Sequence, residues 1–471
     1  MVITVLTYHM DHKRVPPLYI CLYNNIKSDI LCGKLKPNER LPSKRNLAEH
    51  LKISTVTVEN AYAQLLLEGY IFSIERKGYF VSKLQEPLPG QSVQNIRENR
   101  SDQGEDAKKY IYDFKTNNIL KEKFPFSIWA RLMRETLSEQ DDRLLEAMPY
   151  NGIQPLRAAI ADYLYHFRGM TVSADQIVIG AGTEYLYGLI IQLLGRENVF
   201  ALEDPGYKKI AKVYQSNGAN CEFIGMDGSG LSVTELKSSN ANIVHISPSH
   251  HFPTGIVMPI KRRHELLMWA NEHAGRYIIE DEYDSEFRFS GRPVQTLQSI
   301  DHNQKVIYVN TFSKSIAPSI RISYMILPRH LTEKFEKNLT FYSCTVPSFE
   351  QFTLAKFIAG GYFERHINRM RNYYKKQRDL LISLLKSSRL GNRITIFEEH
   401  SGLHFLMKID TGRSDVDIIN SAGCNGIKLS CLSEYYYEAK RQKSGTVIIN
   451  YSGIDSNKIQ KAVGQLLKVF G

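Results

Sequence analysis

Between residues 12 and 82, apolar positions first recur at helical spacing and then alternate. The stretch "PLYICLYNNIKSDILCGKL" carries a helical stripe that stops at Gly33. "LPSKRNLAEHLKI" offers Ser43 as a helix cap, and "STVTVENAYAQLLLEGY" offers Ser54 as another and ends at Gly69. "YIFSIERKGYFVS" then alternates as two strands around the basic turn Arg76-Lys77-Gly78. Three helices followed by a hairpin predict a winged helix-turn-helix over 12–82. Residues 83–110 lose all apolar periodicity and read as a linker. From 111 onward, apolar strand-like runs ("QIVIGA", "NVFALE", "NIVHISP", "RYIIEDE", "KVIYVNTF") alternate with helical segments, which predicts a mainly parallel sheet wrapped by helices. The tail from about 370 to 471 reads as a smaller α+β lobe of the same domain.

Composition changes this picture little. The chain has 471 residues, 43% hydrophobic and 23% charged, as expected of an ordinary globular protein of two or three domains. Its formal charge of +11 is a weak pointer to an acidic partner. Six cysteines without a CxxC pair fit reduced thiols of a cytoplasmic protein better than a disulfide framework. No apolar run is long enough to span a bilayer and no signal-peptide layout opens the sequence, so the expected location is the cytoplasm.

Charge matters more locally. Residues 1–83 hold 12 Lys and Arg against 7 Asp and Glu. Short polar residues that can reach base edges belong at the start of a recognition helix, and Ser54, Thr55 and Thr57 stand there, with Val56 and Val58 expected to face the core. Arg40, Ser43, Lys44 and Arg45 are candidate phosphate contacts, and Lys77 beside Gly78 is placed to enter a minor groove of double-stranded DNA.

The stretch "IYVNTFSKSIAPSIRISYMIL" places Lys314 after an apolar strand, among hydroxyls, with Arg321 seven residues on. Pyridoxal 5'-phosphate chemistry calls for this set: a desolvated lysine for the aldehyde, and hydroxyls and a guanidinium for the phosphate. Lys314 is the candidate Schiff-base lysine, and Thr311, Ser313 and Arg321 the candidate phosphate ligands. "GAGTEYLYG" follows a strand and opens a helix, so Ala181, Gly182 and Thr183 could offer N–H groups to the phosphate. Asp281 ends the strand "YIIEDE" and could hold the pyridine nitrogen protonated. Tyr283 could bond the ring hydroxyl, and Tyr207 in "EDPGY" could stack on the ring. The adjacent histidines of "SHH" (249–251) lack carboxylate or thiolate partners at a recognisable spacing, so no metal site is expected.

"LPSKRNLAEHL" and "AYAQLLLEGY" resemble the GntR-type winged helix. "FPFSIWAR", "YNGIQPLRAAIADYL", "SPSHHFPTG", "IIEDEYDSEF" and "TFSKSIAPSIRISYMILP" resemble blocks of MocR/GabR-type transcription regulators, in which such a winged helix is fused to an aminotransferase-like domain of fold type I. The resemblance implies a linked winged helix and α/β pyridoxal-phosphate-dependent transferase domain. It implies the cofactor on Lys314, Asp281 at the pyridine nitrogen, Tyr283 at the ring hydroxyl and Arg321 at the phosphate. It further implies a head-to-tail, domain-swapped homodimer.

Departures bear on the ligand. Aminotransferases hold the substrate carboxylate with a C-terminal arginine; Ile448 stands there, and Phe252 replaces a ring-contacting asparagine. A GABA-responsive member uses two other arginines, whose positions fall on Lys209 and near Ser433 or Glu434. The expected function is a DNA-binding regulator that senses a small amine or amino acid by aldimine exchange at Lys314. The alternatives are a working aminotransferase tethered by its DNA-binding module, and a sensor of pyridoxal phosphate itself.

Overall fold

The computed structural model describes residues 6, 8, 17–84, 110–116, 120–139, 142–289, 291 and 294–471. The expected linker thus lies almost wholly outside the described residues, as does the start of the expected winged helix at 12–16. The chain divides into two compact units, 1–106 and 107–471.

In the first unit, helix α1 (Leu18–Leu31), α2 (Lys44–Leu51) and α3 (Thr55–Leu67) precede strands β1 (Ile71–Ile74) and β2 (Gly78–Val81). Ser43 Oγ accepts from the Asn46 N–H and Ser54 Oγ from the Thr57 N–H, so both expected caps satisfy an otherwise orphan helix donor. Leu22, Ile26, Val58, Ala61, Tyr62 and Leu65 bury the seam between helices. The β1–β2 hairpin pairs Ile71 with Val81 and Ile74 with Gly78. Its turn needs left-handed backbone at Arg76 (φ 60°) and Gly78 (φ 108°), which explains a glycine at the second place.

The second unit is built on an eight-stranded sheet of order β4-β11-β10-β9-β8-β5-β6-β7, with β4 (Ile177–Gly180), β5 (Val199–Asp204), β6 (Asn220–Asp227), β7 (Gly230–Leu231), β8 (Ile243–Ile246), β9 (Tyr277–Glu282), β10 (Val306–Thr311) and β11 (Ser323–Ile326). Strands β6, β5, β8, β9 and β10 run parallel, whereas β11 is antiparallel to both neighbours. Side chains alternate across the sheet and both faces are covered. Ile307 and Val309 join the core around the helix Thr183–Leu194, while Tyr308 joins the core on the other face.

The smaller lobe is a four-stranded sheet of order β12-β13-β16-β15, with β12 (Ile394–Phe397), β13 (His404–Ile409), β15 (Ser430–Cys431) and β16 (Thr446–Asn450). One pairing lay beyond sequence reasoning. Strand β3 (Tyr112–Asp113), at the start of the unit, pairs in parallel with β14 (Ile427–Lys428) near its end. It carries Lys115 and Thr116 to the mouth of the cavity described next.

Candidate functional site

A cavity of about 460 Å³ opens at the carboxyl ends of the parallel strands, where ligands of open α/β sheets bind. Lys314, Asp281, Tyr283, Thr311, Ser313, Arg321, Thr183, Tyr207 and Lys209 all line it, as do Phe252, Tyr435, Tyr437 and Asn450. Residues from positions 115 to 450 converge because β9 and β10 lie side by side, Asp281 opposite Val309, so the end of one strand and the turn after the next face the same space.

Alternation on β9 sorts its three consecutive carboxylates. Glu280 and Glu282 face away and are held by buried arginines, Arg263 at 3.5 Å and Arg168 at 2.9 Å. Asp281 alone turns to the cavity. Its Oδ2 accepts from the Tyr187 hydroxyl at 2.5 Å and lies 3.4 Å from His245 Nε2, and Tyr214 OH sits 2.9 Å from His245 Nδ1. Its Oδ1 is buried with no hydrogen-bond partner in the protein. A buried carboxylate with one oxygen fixed and the other unmatched fits a cationic N–H donor such as a protonated pyridine.

The phosphate end is a knot of hydroxyls. Thr311 Oγ1 donates to Ser313 Oγ at 2.9 Å and accepts from Ser323 Oγ at 2.8 Å and the Ser313 N–H at 3.1 Å. Arg321, at φ 50°, donates to Glu184 Oε2 at 2.7 Å and to the Ala181 carbonyl at 3.3 Å. Gly182 has φ 98°, a backbone that side chains rarely adopt, and a Cβ added there would meet Arg321 Nη2, so a larger residue strains the turn and displaces the guanidinium. Burial pushes the Glu184 carboxyl up, but hydrogen bonds from Lys209 and Arg321 prevail and hold it down at about 2. Burial lowers the Lys314 ammonium from its ordinary value, against the pull of Asp284, and so favours the uncharged amine that an aldehyde requires. These residues fit pyridoxal phosphate at both of its charged ends.

Several expected contacts differ in detail. The Ala181 N–H donates to Thr345 Oγ1 at 2.9 Å and the Gly182 N–H to the Gly180 carbonyl at 2.9 Å, so neither amide is turned to the cavity; Thr183 is the member of that turn in its wall. Tyr283 OH lies 3.0 Å from His250 Nδ1, which also lies 3.0 Å from Asp284 Oδ2. His404 completes a buried group in which one donor atom each of His250, Asp284 and His404 lie within 4.8 Å of one another. Sequence spacing had set the "SHH" histidines aside for lack of a carboxylate; the fold supplies one 34 residues away. Ser433 is buried outside the cavity wall, its carbonyl accepting from Gln442, so it is not placed to touch a ligand. Lys209 is in the wall, but its ammonium is paired with Glu184.

Sequence reasoning missed Lys115, Glu184, Tyr187, His245, Glu203, Tyr435, Tyr437 and Asn450 of the wall. Tyr187 could have been found, since it stands four residues after Thr183 on the same helix and hence on the same face. Glu184 and Glu203 stand inside "GAGTEYLYG" and "EDPGY" but carry no local sign of facing the cavity, and the others lie in no site motif.

On the first unit, Arg40, Ser43, Arg45, Ser54, Thr55 and Lys77 are exposed. Lys44 is paired with Glu59 at 2.5 Å and lies over the Tyr79 ring, and the Thr57 hydroxyl is 2.8 Å from Ser54 Oγ. Val56 is not a core residue as expected: it is 62% exposed, because the buried stripe runs through Val58, Ala61, Tyr62 and Leu65 and leaves Val56 on the opposite side.

Residues 18–81 match the family of bacterial regulatory proteins called gntR, and residues 110–466 match the class I and II aminotransferases. The chain is 37% identical to an uncharacterized HTH-type transcriptional regulator, YdeL of Bacillus subtilis, over 96% of each chain. It is 29% identical to the probable rhizopine catabolism regulatory protein MocR of Rhizobium meliloti, over 98% of this chain and 95% of that one. Among solved structures, the kynurenine aminotransferase of Pyrococcus horikoshii superposes with a TM-score of 0.67 at 24% identity, covering 77% of this chain and 91% of that one; this likeness concerns the fold. The gntR match makes the first unit a DNA-binding domain, and the aminotransferase match together with the fitted donor set implies pyridoxal phosphate as cofactor. The chain therefore belongs to the MocR-type HTH transcriptional regulators, in which a gntR-family DNA-binding domain precedes a class I and II aminotransferase domain.

Proposed function

We propose that this regulator senses a small amine or amino acid in the Lys314 cavity and passes the event to its DNA-binding unit as a homodimer, in which each winged helix lies on the partner's large domain. The observation that carries the reading is a half-buried lysine of lowered basicity, lining one cavity with Asp281 and Arg321, on a chain that also holds a gntR-family domain.

When bound, the cofactor supplies an aldehyde that links covalently to amines and a pyridinium that withdraws electrons. The protein's residues do the rest. Asp281, braced by Tyr187 and His245, keeps a proton at the ring nitrogen. Arg321, Ser313 and Thr183 anchor the phosphate, and Tyr207 and Phe252, packed edge to face at 5.7 Å, restrict the approach to one side. Lys314 would hold the aldehyde end of the cofactor, and its lowered basicity leaves it the uncharged amine needed there. An effector in this cavity shifts DNA affinity only as far as it binds two states of the large domain unequally.

The test pairs visible spectra of the full-length protein, loaded with pyridoxal phosphate, with footprints on DNA flanking its gene. An effector should change both together. A footprint that no spectrum-shifting amine alters would overturn the reading. Sustained conversion of an amino acid to its keto acid would favour the enzyme, and operator binding restored to apo-protein by pyridoxal phosphate alone would favour a cofactor sensor.

A further inference from the structure

Four cationic side chains line the cavity among the described residues: Lys115, Lys209, Lys314 and Arg321. Lys314 and Arg321 serve the cofactor in the reading above, on which this inference rests. Lys209 is tied to Glu184, the same carboxylate that holds Arg321, and so belongs to the phosphate end. Only Lys115 lacks an assignment.

Its position is built with care. Asp113 Oδ1 accepts from the Lys115 and Thr116 N–H groups at 2.8 and 2.9 Å, and Asn450 Nδ2 donates to the Lys115 carbonyl at 2.8 Å. The backbone is therefore held from both sides, one of them a cavity residue of the smaller lobe. The ammonium lies 3.3 Å from Glu434 Oε1, and Glu434 is itself fixed through Oε2 by the Cys431 N–H at 3.1 Å. The pair is about one-third exposed on both sides. Such a pair is worth little by itself, and an ammonium has three donors, of which Glu434 uses one.

We propose that Lys115 is the carboxylate reader of this sensor, so that the effector is an amino acid and not a simple amine. Its amine goes to the Lys314 end and its carboxylate to Lys115, which Glu434 orients. The same wall also holds Tyr207, Phe252, Tyr435, Tyr437, Ile210 and Val213, which suits an apolar stem. The cation that the C-terminal strand lacks at Ile448 is thereby supplied from a segment 319 residues distant from its partner acid.

The experiment titrates the loaded, full-length protein with amino acids, both α and ω, and with the corresponding amines lacking the carboxylate, and follows the visible band. Wild type should respond to at least one amino acid at concentrations about tenfold or more below its amine, the margin expected of a hydrogen bond to a charged group. Lys115→Gln should erase that margin by weakening the amino acid alone, and Lys115→Arg, which keeps the charge and guards against a folding defect, should retain it. An equal wild-type response to amino acid and amine, or a margin that survives in Lys115→Gln, overturns the assignment to Lys115 but leaves amine sensing standing. A band that no amine or amino acid shifts sinks the sensing reading itself, and this inference with it.

Discussion

At the residue scale, one side chain decides the chemistry and its neighbours decide whether it can act. Lys314→Ala should abolish the visible absorbance that bound pyridoxal phosphate gives when linked to a lysine, and an unchanged band would remove Lys314 from the site. Gly182→Ala puts a Cβ against the Arg321 guanidinium at a left-handed φ. It should weaken cofactor binding by ~1–3 kcal/mol, measured by titrating the band. Glu203, also in the wall, is pushed up to about 8 by burial first and by the Asp281 charge, despite a hydrogen bond from the Ser247 N–H. Its neighbour His251, 3.3 Å away, is lowered to about 3 by burial and by His250. A carboxyl raised in the folded state contributes stability that is full below its ordinary value of 4.5 and lost as pH rises to about 8. A lowered histidine contributes stability that is present above 6.5 and lost as pH falls toward 3. The two slopes oppose each other between 4.5 and 6.5, so of this pair only Glu203 acts from 6.5 to 8, where Glu280, also raised by burial, adds a slope of the same sign. Thermal unfolding should therefore show stability falling there, the Glu203 share by at most about 1.4 kcal/mol per pH unit, and Glu203→Gln should make the slope shallower by that share. A slope unchanged in the variant would mean that Glu203 is already ionised.

At the element scale, α3 and the helix before it present their basic and apolar side chains differently. Arg45 is exposed, whereas Lys44 is engaged with Glu59 and the Tyr79 ring. Arg45→Ala should lower the salt slope of DNA binding by about 0.9, the release expected for one phosphate contact, and Lys44→Ala should lower it less. Equal losses would show that the Lys44–Glu59 pair opens on DNA. Val56, exposed at the start of α3, offers the kind of apolar surface that contacts a thymine methyl group. Val56→Asn should change the preferred operator while leaving the salt slope as it was, which selection from random DNA followed by salt titration would check.

At the scale of the whole molecule, each unit has its own apolar core. Leu22, Tyr62 and Ile71 belong to the first; Tyr308, Phe312 and Met407, and separately Phe200 and Val309, belong to the second. Every residue of the Lys314 cavity lies within 107–471. A chain truncated to 107–471 should thus keep the cofactor band and lose DNA binding. Loss of the band on truncation would show that the site needs the first unit. No helix among the described residues is long and apolar enough to cross a membrane.

Local periodicity and capping chemistry by themselves determined the helices and hairpin of the first unit and the five strand runs of the large sheet. These signals are carried by residues close in sequence, where a cap, a turn or an alternation acts on its own backbone. Tertiary structure alone decided the rest. It turned Asp281 inward and Glu280 and Glu282 outward, because the faces of β9 are distinguished only by what packs on them. It put Val56 in solvent, since a helix stripe is fixed by its partners. It directed the Ala181 and Gly182 amides into the fold and moved Ser433 out of the wall. Above all, pairing β3 with β14 brought Lys115 to Glu434, and no pattern along the chain records a contact whose two halves lie at its opposite ends.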